Sequence, residues 1–123
     1  MPLATIWRDV SLVTDTRAVL IRDVVQLAVQ TALKVELDEV EVRVREIGPL
    51  DINYMPVGIE IDTGNGKSGW RVEQRELLAM KIAEMIHIAD VLDPEWIGPD
   101  KSYVWMRICE SSFVPIGHAD HAR

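Results

Sequence analysis

Pro2, Lys34 and Lys67 are residues whose types suit proton transfer beside a negative charge. When the preceding methionine is removed, Pro2 becomes the chain terminus and its nitrogen is a secondary amine. Burying that amine among apolar neighbours disfavours its protonated form and lowers its pKa. A neutral amine at pH 7 is a general base, and its conjugate acid can return the proton. Lys67 and Lys34 are cations that would push the pKa the same way and would hold an anionic substrate.

Lys67 lies in "GNGKSG", Gly64 to Gly69. A nucleotide-binding P-loop would need its first glycine at position 61, which is Ile61, so a nucleotide loop is not expected. The glycines still permit tight turns, and a following helix start offers free N–H groups for a small carboxylate. Arg71 falls one turn into that helix. The plainer reading of the same loop is a β-to-α turn with a solvated lysine.

Other reactive types carry less. His118 and His121 sit in a terminal tail with no third metal ligand in view. His87 falls among apolar helical neighbours and reads as a packed or surface histidine. Cys109, the single cysteine, excludes an internal disulfide and reads as a buried thiol in a strand. No metal site is read from these residues.

The elements that must position Pro2 and the lysines alternate. Pro2 to Val10 predicts a strand. Thr14 and Asp15 suit a helix cap and a first-turn acid, and apolar residues recur at helical spacing to about Leu33. Val40 to Arg45 alternates cleanly as a second strand, with Val40, Val42 and Val44 on one face. Val57, Ile59 and Ile61 predict a third. A second helix is expected from about Trp70 to Asp90, with Leu78, Ile82, Met85 and Ala89 on one face. Tyr103 to Glu110 predicts a fourth strand.

The order predicts an α+β fold: tandem β-α-β units forming a four-stranded mixed sheet with two helices on one face. Unit one is about 2–47, unit two about 55–110, and 111–123 is a tail. Within each unit the two strands should run parallel. The face left open would carry Thr5, Trp7, Glu41, Arg43, Arg45, Tyr103, Trp105 and Arg107. Large aromatics mixed with charges there suggest an assembly surface.

Composition bounds the function. The 123 residues make one domain of ordinary size, 48% hydrophobic and 27% charged. The net charge of −7 and the lack of a basic stripe argue against nucleic-acid binding. No apolar run approaches the roughly 20 residues of a membrane span, and Arg8 and Asp9 interrupt the apolar start too early for a signal peptide. A cytoplasmic protein is expected.

The ordered set of pieces resembles the tautomerase superfamily. "PLATIW" from Pro2 looks like its first strand, "LIRDV", Leu20 to Val24, like its first-helix signature, and "LDEVEVRV", Leu37 to Val44, like its second strand. "GKS" resembles the turn before the second helix of the two-unit members, and "YVWMRICE" their last strand. The resemblance covers almost all of the chain up to about Glu110. It implies a homotrimer and cofactor-free chemistry by an N-terminal proline on small carboxylate or carbonyl compounds. It also implies Pro2 as the catalytic base, Lys67 and Lys34 as substrate-binding cations, and a water or proton role for Glu110. Leu12, Glu41 and Gly64 stand where members of the family keep arginines, and Arg43, two residues past Glu41 on the same face, is the expected substitute. These departures keep a second reading open, a non-catalytic small-ligand-binding or oligomeric assembly protein of the same fold.

Overall fold

A computed structural model describes residues 2–52, 54–63, 72–98, 100–108 and 116–117, the side chain of Val72 apart. Strand β1 is Leu3–Arg8, helix α1 Asp15–Leu33, strand β2 Glu41–Glu46, strand β3 Val57–Asp62, helix α2 Arg75–Ile88 and strand β4 Ser102–Arg107.

Local chemistry sets the boundaries. β1 stops short of the expected Val10 because Asp9 starts a turn. Its carboxylate accepts from the Ser11 N–H at 2.9 Å and hydroxyl at 2.6 Å, and its carbonyl accepts from the Val13 N–H at 2.8 Å. Thr14 then caps α1, its hydroxyl oxygen accepting from the Arg17 N–H at 3.2 Å, with Asp15 in the first turn. A carboxylate there meets the free N–H groups of the helix start. At the far end Lys34 adopts the left-handed conformation, φ 55°, and its N–H returns to the Gln30 carbonyl. β2 begins at Glu41 rather than Val40, because Val40 closes a 3₁₀ turn over Leu37–Glu39. That turn carries a capping box between Glu36 and Glu39.

The sheet order is β2-β1-β3-β4. β1 pairs parallel with β2, and β3 parallel with β4, as the two-unit reading requires. The units join through an antiparallel β1–β3 pair, which makes the sheet mixed.

The apolar positions of period two and period 3.6 meet in one core. Ala4 and Ile6 of β1, Ile59 and Ile61 of β3 and Met106 of β4 are buried with Ile21, Val25 and Val29 of α1. Burying one such side chain fully contributes about 1.5–3 kcal/mol. On α2 the inward residues are Ile82 and Ile86, flanked by Leu78, Ala79 and Met85. The expected inward Ala89 is instead exposed as the C-cap, and its N–H reaches the Met85 carbonyl at 3.1 Å.

The register leaves the opposite face of the sheet open, as expected. One row across it is Glu41, Leu3, Asp62 and Arg107. The next is Arg43, Thr5, Glu60 and Trp105, and the third is Arg45, Trp7, Gly58 and Tyr103. Of the four tryptophans, Trp96 is buried in the core. Trp105 is 45% exposed with the Arg107 guanidinium 5.0 Å above its ring. Trp7 is half-buried, and Trp70 lies outside the described residues.

Candidate functional site

Pro2 is fully buried at the start of β1. Its carbonyl accepts the Glu41 N–H at 3.0 Å, which ties it to the start of β2. Topology gathers several other chain segments at this end of the sheet. The antiparallel pairing sets Leu3 opposite Asp62, so the end of β3 arrives beside Pro2, and the parallel β4 brings Arg107 level with Asp62. α1 runs back toward the same end, because it must deliver the chain to the start of β2.

Thr63 follows β3 directly. Its side chain is fully buried, its N–H donates to the Arg107 carbonyl at 3.1 Å, and its hydroxyl approaches the same oxygen at 3.4 Å. Thr63 continues the inward set of Val57, Ile59 and Ile61. That period was the signal for it, although the expected third strand is drawn only through Ile61. Extending the β1–β3 register by one step sets Thr63 opposite Pro2.

The candidate cations divide. Lys34 is exposed at the C-cap of α1, in the connection that leads to Glu41. Arg43 lies on the open face of β2, whereas Ala4 and Ile6 set the inward face to which Pro2 belongs. Arg43 is also engaged. Its Nε and Nη2 both lie 2.9 Å from Oε1 of Glu41, an exposed pair of small energetic weight. Lys67, Cys109, Glu110, His118 and His121 lie outside the described residues, as does the whole Gly64–Gly69 loop. His87 is in the last turn of α2, exposed, beside a cavity of about 230 Å³ also lined by Ile59, Ile86 and Leu92. Among the described residues, no three His, Cys, Asp or Glu side chains come together as a metal-ligand set. Nor is any described helix long and apolar enough to cross a membrane.

Solved structures share this fold at low sequence identity. A fused 4-OT, solved as a wild-type symmetric trimer, matches with a TM-score of 0.63 and 13% identity over 94% of this chain and 92% of its own. The chain has a tautomerase-like fold. Malonate semialdehyde decarboxylase matches with a TM-score of 0.62 and 13% identity, over 95% of this chain and 92% of that one. Pt0534, solved after inactivation by 2-oxo-3-pentynoate, gives 0.61 and 14%, over 95% and 91%. No protein-family model matches the sequence, and no curated protein matches it by sequence.

Proposed function

We propose that the chain is a cofactor-independent tautomerase or isomerase whose general base is the nitrogen of Pro2. The supporting observation is the burial of Pro2 at the head of β1, in a fold shared with enzymes of this kind. With Met1 removed, the nitrogen is an amine in a dry setting, which favours its neutral form. Pro2 takes a proton α to the carbonyl of a small carboxylate or carbonyl compound. Negative charge develops on the enolate oxygen, and Lys67, with Lys34, holds the substrate carboxylate and steadies that charge; Arg43, on the open face and paired with Glu41, is left out of this role. The prolinium then returns the proton at another carbon of the conjugated system. Glu110 serves a water or proton role. The working assembly is a homotrimer that covers the open sheet face, and a stable monomer in sedimentation would remove that part.

The test is ketonisation of phenylenolpyruvate by protein whose intact mass shows loss of Met1, compared with Pro2→Ala. General-base catalysis contributes about 10²–10⁴-fold, so a rate loss of that order is expected. Equal rates would refute proline catalysis and leave the small-ligand-binding or assembly reading. Because Pt0534 is inactivated by 2-oxo-3-pentynoate, the same reagent is expected to leave one adduct, on the N-terminal peptide.

A further inference from the structure

Helix α2 is apolar on two sides. Ile82 and Ile86 face the core. On the opposite side Leu77, Met80 and Ile88 are 69%, 62% and 72% exposed. At about 3.6 residues per turn, these three fall with the exposed Lys81 and Glu84 in one stripe about 100° wide. A surface helix ordinarily turns a polar face outward, and one that is apolar on both sides is covered on both. The stripe lies on the far side of the helix layer from the open sheet face, so the proposed homotrimer does not cover it.

The stripe also matches itself. Leu77 and Ile88, and likewise Lys81 and Glu84, stand symmetrically about the point between Ile82 and Ala83. Two copies of α2 laid antiparallel about a two-fold axis at that point set Leu77 of each against Ile88 of the other. They also set Lys81 of each against Glu84 of the other. A two-fold contact is made twice, so two apolar pairs flank two ion pairs. Met80 lies beside the ion pairs and adds adaptable apolar surface. Laid parallel, the same helices would oppose Lys81 to Lys81 and Glu84 to Glu84. The ion pairs among the described residues engage neither Lys81 nor Glu84.

We propose that the outer face of α2 docks onto the same face of a second copy of this chain, antiparallel about a two-fold axis. The charge pattern makes a second copy the fitting partner, because the stripe supplies both the cation and the anion of each ion pair at mirrored positions. Two helices of 14 residues, about 21 Å long, bury less than the about 1,200–2,000 Å² of a standard interface. The pairing is therefore reversible and concentration-dependent. It needs neither Pro2 nor the open sheet face, and it joins single chains or trimers alike.

The test is sedimentation of the full chain over a range of concentrations. The mass of the starting unit, one chain or the proposed trimer, is expected to rise with concentration. Lys81→Glu brings two glutamates together at each ion pair, and Glu84→Lys two lysines, so each should weaken association at least about tenfold. The double variant Lys81→Glu/Glu84→Lys restores opposite charges and should recover association to within about threefold of the parent. Leu77→Glu should abolish the rise and leave the unfolding midpoint close to that of the parent. A parent mass that does not change with concentration would overturn the proposal, as would a double variant that associates no better than the single ones. So would a Leu77→Glu variant that lowers the unfolding midpoint without changing association, the result expected if another part of the same chain covers the stripe.

Discussion

The Glu41 N–H donates to the carbonyl of Pro2 at 3.0 Å, so the residue carrying the proposed base is also the first link between β1 and β2. Main-chain bonding fixes Pro2 from its carbonyl side, and its nitrogen is the atom proposed to react. A substitution of Pro2 is thus expected to change chemistry more than fold. Pro2→Ala keeps the carbonyl that Glu41 uses, and its thermal unfolding midpoint should stay close to that of the parent.

Lys34 allows function and stability to be separated by sign. Its left-handed conformation, φ 55°, costs a non-glycine residue about 1–2 kcal/mol. Lys34→Gly is expected to hold or raise stability in denaturant unfolding. If Lys34 binds substrate, the same variant should raise KM. A variant that is less stable would contradict the helix-end geometry, and one with unchanged KM would remove Lys34 from the site.

Gly58 and Tyr103 form a coupled pair. A Cβ at position 58 would come within 2.5 Å of the Tyr103 ring carbon Cζ. Gly58→Ala is expected to destabilise by about 1–3 kcal/mol, the cost of overpacking. In a Tyr103→Ala background the clash is gone, and alanine is a better strand residue than glycine. The double-mutant cycle should therefore show a coupling above about 0.5 kcal/mol. Additive losses would mean that the ring does not occupy the glycine's space.

Thr14→Ala removes the hydroxyl oxygen that accepts from the Arg17 N–H. A loss of about 1 kcal/mol is expected, measured by denaturant unfolding, with Thr14→Ser recovering most of it. A neutral Thr14→Ala would show that α1 does not depend on this cap.

Asp9 should shape the acid limb of stability. The Ser11 hydroxyl and then the Ser11 N–H hold its carboxyl below the ordinary 3.8, with a smaller pull from Tyr54 against slight burial. A depressed folded-state pKa gives stability that is present above the unfolded value and lost as pH falls through the folded one. The excess stability of the parent over Asp9→Asn should therefore be constant near neutrality and shrink below about pH 4. Parallel unfolding profiles down to pH 2 would rule out this contribution.

The helices and strands were legible where one residue dictated a local outcome. Thr14 and Asp15 marked the start of α1, and Val57, Ile59 and Ile61 alternated as β3 does. The face of α2 was half read. Ala89 fits the apolar spacing, but the helix ends at Ile88, and Ile86 carries the burial instead. The open face was legible from alternation in each strand. What joins across it was not, because the Trp7–Glu60 bond spans 53 residues and exists only through antiparallel β1–β3 pairing. Thr63 was missed for a related reason, since its burial depends on Arg107 of another strand. Arg43 was read from its distance to Glu41, which is also why it now pairs with that residue.

Everything proposed for the Pro2 end depends on the state of one nitrogen. With ¹⁵N-proline incorporated into the untagged protein, the Pro2 nitrogen can be followed by NMR across a pH titration. The expected result is an amine signal that titrates below the ordinary α-amino value of about 7.7–8.0. An amide signal that does not titrate, or an amine that titrates at or above that range, would contradict proline-based catalysis.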